Sequence, residues 1–127
     1  MRVHTCVGFY VLLFSFFYPF GAVEYALLFL CIGGVIALEL VNSAIEQAVE
    51  QPDPAHWRAA GSAKDMAAGA VLVFSAAAAA VGIALFWQPK IIREIPKWFL
   101  HHPAILVVLL CSVLLSVHFI FNTKKKG

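Results

Sequence analysis

The sequence predicts an all-α protein, a bundle of helices embedded in a membrane. Of its 127 residues, 62% are hydrophobic and only 13% are charged, about half the charged share that is usual in soluble domains. Four apolar runs approach or reach the ~20 residues with which a helix crosses a bilayer. They are Thr5–Phe20, Tyr25–Leu38, Met66–Trp87 and Pro103–Phe121. We therefore predict three membrane helices followed by a fourth, C-terminal span, with no separate soluble domain.

The distribution of basic residues predicts how these helices are oriented. Short loops that face the cytoplasm carry an excess of lysine and arginine. With four spans, one side holds six basic residues and the other holds three: Arg2, Arg58, Lys64, Lys124, Lys125 and Lys126 against Lys90, Arg93 and Lys97. This places both termini and the middle loop in the cytoplasm. The loop with three basic residues also contains isoleucine and tryptophan, which is typical of a segment at the membrane surface.

A stripe of polar residues interrupts the second apolar region, in the stretch ALELVNSAIEQAVEQ of residues 37–51. Glu39, Asn42, Glu46 and Glu50 are spaced by 3, 4 and 4 positions, which puts them on one face of a helix. A charged side chain at the bilayer centre costs at least ~2.5 kcal/mol, so such residues usually have a function. A helix end emerging into water would explain Glu50 but not Glu39. Oxygen ligands on one helix face suit Mg²⁺.

The next apolar span begins with Lys64 and Asp65, which we expect at the same membrane depth as the polar stripe. The alanines and glycines that follow predict close helix packing. The sequence has no glycine-rich phosphate loop, so a nucleotide would have to be held by side chains and a metal ion. A site at the membrane boundary suits one water-soluble reactant and one lipid. Nothing in the sequence indicates nucleic acid.

These two motifs resemble the signature of the small bacterial diacylglycerol kinases and undecaprenol kinases. The family pattern is Glu-x-x-Asn-Ser/Thr-Ala-Ile-Glu on the second membrane helix, followed by Ala-Lys-Asp at the start of the third. It is present here as Glu39, Asn42, Ser43, Ala44, Ile45 and Glu46, and then Ala63, Lys64 and Asp65. The resemblance runs from about Arg2 to Trp87. It implies a homotrimer in the bacterial inner membrane, with composite active sites on the cytoplasmic side.

The resemblance also implies a role for each residue of the motifs. Glu39 would be the general base that takes the proton from a lipid hydroxyl, and Glu46 would bind Mg²⁺. The implied ATP-binding residues are Glu46, His56, Lys64 and Asp65, and the implied substrate-side residues are Glu39, Asn42 and Ser43. An alcohol is a weak nucleophile, so transfer of a phosphoryl group to it is promoted by a carboxylate that accepts the proton and by a metal ion that binds the phosphates.

Two regions depart from the family pattern. Family members usually begin with an amphipathic surface helix that supplies an arginine and a glutamate to the ATP and Mg²⁺ site, and this sequence starts where that helix ends. We therefore expect residues 1–87 to form the kinase-like domain without its surface helix, and the chain alone to be a poor kinase. Residues 88–127 lie beyond the family's usual end and comprise the interfacial loop, the extra span and a lysine-rich tail.

The predicted reaction is transfer of the γ-phosphoryl group of ATP to diacylglycerol, giving phosphatidic acid. Undecaprenol is the alternative acceptor. A second class of function is a family member without catalysis that serves as a lipid-binding or assembly subunit. A third is a small cation transporter that uses the glutamates as a relay, although this leaves Lys64 and Asp65 without a role.

Overall fold

The computed structural model describes residues 2–49 and 57–122. This part of the chain forms five α-helices and contains no β-strand. They are α1 (Arg2–Ser15), α2 (Ala22–Ala48), α3 (Trp57–Phe86), α4 (Pro89–His101) and α5 (Pro103–Phe121). The all-α prediction is confirmed.

Three of the described helices are long and apolar enough to cross a membrane. They are α2, α3 and α5, with 27, 30 and 19 residues. Their large apolar side chains point mostly outward: Leu72 and Leu115, for example, are 71% and 69% exposed. Exposing such an apolar surface to water would be unfavourable, whereas the hydrocarbon core of a bilayer is an apolar environment that suits it. The helices therefore form a bundle whose outer surface is suited to a bilayer.

The first helix ends earlier than the sequence predicts. We expected the first span to continue to Phe20, but α1 ends at Ser15. The Ser15 hydroxyl donates to the Leu12 carbonyl at 2.6 Å, and Pro19 follows, which disfavours a helical conformation in the residue before it. The described part of α1 has 14 residues, or about 21 Å of helix, against a hydrocarbon core of about 30 Å.

Helices α2 and α3 form an antiparallel hairpin with the most extensive contact between any two of the described helices, and they approach closely at Gly34. A Cβ atom at Gly34 of α2 would lie 2.3 Å from Cζ of Phe74 on α3, so only glycine fits there. We expected the small residues of α3 itself to make it the inner, packed helix. Instead, no residue of α3 is fully buried, and added Cβ atoms at Gly69 and Gly82 would meet open space. The contact is made by a large α3 side chain over a small α2 residue.

Helix α4 lies at the end of the bundle where α1 turns into α2. Ile91, Ile95 and Phe99 form its half-buried face. The ring of Phe17, in the α1–α2 turn, lies 5.0 Å from the ring of Trp98 and 5.7 Å from that of Phe99. The opposite, basic face of α4 is exposed, as expected for a segment at a membrane surface.

Helix α5 returns along α1 and is attached to it by side-chain contacts. The Tyr10 hydroxyl is hydrogen-bonded to the hydroxyls of Ser112 and Ser116, at 2.7 Å and 3.1 Å. The guanidinium of Arg2 lies 4.6 Å from the centre of the Phe119 ring, within the range of a cation–π contact. The predicted fourth span is thus a helix with the expected bounds, packed on the first.

Candidate active site

Glu39 lies inside the bundle rather than on its outer surface. It lies in the C-terminal half of α2, and its side chain is 14% exposed. Its Oε1 atom contacts Nδ1 of His4 on α1. An ionised carboxylate only accepts hydrogen bonds, so the proton of this contact belongs to Nδ1 of the imidazole. The predicted general base is therefore oriented by a neighbouring helix.

Asn42 and Glu46 form a second polar pair, one to two turns further along α2. The Asn42 amide donates to Glu46 Oε1 at 3.1 Å. The Asn42 carbonyl oxygen is buried and has no hydrogen-bond partner among the described residues. Ser43, the next residue, is exposed. The pair therefore presents a buried amide oxygen and a half-buried carboxylate at one end of the bundle.

This donor set fits a magnesium ion. Mg²⁺ takes oxygen ligands and usually binds one or two carboxylates, completing its shell with water and phosphate. No group of three or more His, Cys, Asp or Glu side chains occurs in residues 2–49 and 57–122 that could enclose a metal. Glu46 and the free oxygen of Asn42 would therefore hold the ion together with a nucleotide rather than alone.

Lys64 and Asp65 lie on α3, at the end of the bundle to which the C-terminal half of α2 leads. Both side chains are exposed, and neither forms a hydrogen bond or ion pair within the described ranges. Both are thus on the surface of the described structure and form no hydrogen bond or ion pair with Glu46 there. His56 and Glu50 lie outside the described residues.

Reasoning from the sequence missed His4. It precedes the first apolar run, which begins at Thr5. A signal was nevertheless present, because an ionisable residue on a membrane helix usually has a polar partner inside the bundle. The partner could not be identified without the packing of α1 on α2.

An apolar groove begins at His4 and runs between α1, α2 and α3. Its volume is about 610 Å³, and it continues past Val35 and Ser75 to Phe86 at the opposite end of the bundle. Such a volume is typical of a site for a small ligand. Val7 and Ile83, on its rim, are 53% and 64% exposed. The groove is therefore open at the side, toward the surrounding lipid.

The comparison with known families agrees with this arrangement. The profile of the family described as "Prokaryotic diacylglycerol kinase" matches residues 1–86. The chain belongs to this family. A curated relative, the undecaprenol kinase of Bacillus subtilis (strain 168), is 39% identical over 90 residues, which cover 71% of this chain and 72% of the relative. No solved structure gives a significant match.

Membership of the prokaryotic diacylglycerol kinase family establishes the general activity. The chain is an ATP-dependent lipid kinase, held in a membrane by several helices. The match contains α1, α2 and α3, which hold the polar residues and the groove, and ends where α3 ends. Helices α4 and α5 lie outside it.

Proposed function

We propose that this kinase transfers the γ-phosphoryl group of ATP to the hydroxyl of a lipid whose hydrocarbon chain lies in the groove between α1, α2 and α3. The observation that carries the proposal is the position of Glu39. Its partner His4 lines the end of the groove. A lipid lying in the groove with its hydroxyl at that end would present the reacting group to a carboxylate.

In this proposal, Glu39 is the general base. The acceptor hydroxyl gives its proton to a Glu39 carboxylate oxygen as the alcohol oxygen forms a bond to the γ-phosphorus. The bond between the γ-phosphorus and the bridging oxygen breaks, and ADP leaves. A positioned general base contributes ~10²–10⁴ in rate. The part-buried setting of Glu39 keeps water away from the same carboxylate.

The nucleotide would bind at the C-terminal end of α2. Glu46 and Asn42 would hold Mg²⁺ there, and the ion would supply positive charge to the phosphates of the nucleotide. Lys64 adds a positive charge from α3, and Asp65, Ser43 and His56 complete the expected set. Glu39 and Glu46 are seven residues apart, or ~10 Å along the helix axis. The acceptor hydroxyl and the γ-phosphate therefore meet between these two glutamates.

We propose undecaprenol as the acceptor to test first, because the undecaprenol kinase of Bacillus subtilis is 39% identical to this chain. Diacylglycerol, the acceptor predicted from the sequence, is the competing acceptor and is named in the family description. The two are distinguished by supplying each lipid separately to the purified protein in bilayers without other lipid alcohols, with γ-labelled ATP and Mg²⁺. Labelled undecaprenyl phosphate supports the proposal, and label in phosphatidic acid alone contradicts it. If ATP is not consumed with either lipid, the proposed function is wrong.

We further propose that the chain comprises a kinase domain of residues 1–87 and an appended segment of residues 88–127. The kinase domain forms a homotrimer in the bacterial inner membrane, with the nucleotide end in the cytoplasm. Support comes from the exposed apolar side chains of α2 and α3, which leave area for contacts between subunits, and from the excess of basic residues at the nucleotide end.

A further inference from the structure

The packing of α1 on α2 directs Glu39 toward α1. Leu28, Ile32, Val35 and Glu39 are spaced by 4, 3 and 4 positions, so they share one face of α2. Leu28 and Val35 are buried on this face, and Ile32 lies against Gly8 of α1. Glu39 therefore continues the apolar face that packs on α1.

The close approach at Gly8 fixes the opposite partner. A Cβ atom at Gly8 would lie 2.8 Å from Cγ2 of Ile32, so the two helices are as near there as glycine allows. His4 is one turn before Gly8 on the same face of α1. The contact between His4 and Glu39, which are 35 positions apart in the chain, is thus a consequence of the helix packing and not of local sequence.

A flexible glutamate is a poor base unless it is held in one geometry. Glutamate has three side-chain torsions, and ordering such a side chain costs up to ~2 kcal/mol of entropy. The contact with Nδ1 of His4 restricts the torsions of the Glu39 side chain and so fixes the direction in which its carboxylate points. In enzymes, a base that is oriented by a third group is a recurrent arrangement.

We propose that His4 is a positioning residue that holds the Glu39 carboxylate toward the acceptor hydroxyl at the end of the groove. This inference rests on the proposed function, in which Glu39 is the base. His4 acts through Glu39 and takes no proton from the lipid. Removing it therefore lowers the rate of the chemical step. Nucleotide binding stays unchanged, because the residues proposed to bind the nucleotide and its metal are Glu46, Asn42 and Lys64, whereas the partner of His4 is Glu39.

The test compares His4→Ala and His4→Gln in the full chain in bilayers. We expect His4→Ala to lower kcat ~10–100-fold, as misplacement of a catalytic group by about 1 Å does, with KM for ATP unchanged. His4→Gln should recover part of the loss, since its amide donates to a carboxylate. His118→Ala is the matched control, because His118 is an exposed histidine on α5 whose ring is hydrogen-bonded to Asn122 of the same C-terminal segment. It should have wild-type kinetics.

A second measurement separates positioning from folding. In a Glu39→Asp background the carboxylate is already displaced, so His4→Ala should cost much less there than in the wild type, which is the signature of two coupled residues. Equal costs in both backgrounds would overturn the proposal. So would wild-type kcat in His4→Ala, or equal losses in His4→Ala and His4→Gln together with a lower melting temperature.

The outcomes also separate this inference from the proposed function. If Glu39→Gln abolishes turnover but His4→Ala does not reduce it, His4 has no positioning role and the proposed function stands. If the wild type consumes no ATP in the presence of a lipid alcohol, or if Glu39→Gln turns over normally, both proposals are wrong.

Discussion

Gly34 of α2 lies beneath the ring of Phe74 of α3, and a methyl group at position 34 would be 2.3 Å from Phe74 Cζ. This contact sets the distance between the helix that holds Glu39 and the helix that holds Lys64. We expect Gly34→Ala to force the ring away and to destabilise the protein by ~1–3 kcal/mol, the usual cost of overpacking. The measurement is the free energy of unfolding in mixed micelles.

Two variants provide the controls for this packing contact. Gly69→Ala should be neutral or slightly stabilising, because a Cβ atom there meets open space and alanine favours helix. Adding Phe74→Leu to Gly34→Ala should restore part of the stability. Equal destabilisation by Gly34→Ala and Gly69→Ala would mean that the ring contact is not what limits the approach of α2 and α3.

Replacement of Glu39 by glutamine tests the base. The amide keeps the size of the side chain but cannot take the proton, so turnover should fall ~10²–10⁴-fold. Folding and ATP affinity should stay nearly unchanged. The assay is ATP consumption that depends on the lipid alcohol, with binding of a non-hydrolysable ATP analogue measured in parallel. More than half of the wild-type turnover would end the assignment.

Glu46→Gln tests the metal site. Losing the carboxylate should raise the Mg²⁺ concentration needed for half-maximal activity sharply, because a neutral amide is a weaker ligand for a hard cation. Glu24→Gln is the control on the same helix, since Glu24 accepts a hydrogen bond from the Gly21 amide at the opposite end of α2. Glu50→Gln should also have little effect. Identical Mg²⁺ titrations for Glu46→Gln and Glu50→Gln would show that the site has been misplaced along the helix.

The hydroxyl contacts between α1 and α5 should contribute modestly to stability. We expect Tyr10→Phe to cost ~0.6 kcal/mol, and at most ~1.7 kcal/mol, as interhelical hydrogen bonds in membranes do. The effect should vanish in a chain that already carries Ser112→Ala and Ser116→Ala. Tyr25→Phe serves as a control, because the Tyr25 hydroxyl makes no hydrogen bond within the described ranges. Additive costs in the combined variant would argue against the contact.

Cysteine labelling tests the orientation in the membrane. With Cys6, Cys31 and Cys111 replaced, a membrane-impermeant reagent outside intact cells should label probes placed in Lys90–Lys97. It should not label probes placed in Asn122–Lys126 or beside His56. Labelling of the lysine-rich tail from outside would show that α5 does not cross the membrane.

The sequence predicted those parts of the fold that depend on local pattern. The bounds of α5 match the prediction because Pro103 opens an uninterrupted apolar run. Helices α2 and α3 extend beyond the predicted spans, since apolar content marks the part in lipid while a helix continues into its polar end. The predicted end of α1 was wrong because the apolar run continues to Phe20, whereas the helix itself ends at Ser15, ahead of Pro19.

The candidate site, too, was predicted only where it depends on local pattern. The period of α2 was enough to predict that Asn42 and Glu46 share a face, and they are hydrogen-bonded. The partner of Glu39 could not be predicted, because it depends on which turn of α1 meets which turn of α2. That register is set by Gly8 against Ile32, a contact between residues far apart in the sequence.

The sideways opening of the groove determines how the acceptor is supplied. Exposed rim residues such as Val7 and Ile83 leave a lateral entrance. In the proposed function, a lipid would therefore reach Glu39 by diffusing in the plane of the bilayer without first passing into water. The encounter frequency then follows the mole fraction of acceptor within the membrane and not its amount per volume of sample. Adding an inert phospholipid to the bilayer, at a constant total amount of acceptor, lowers this mole fraction and should therefore slow phosphorylation.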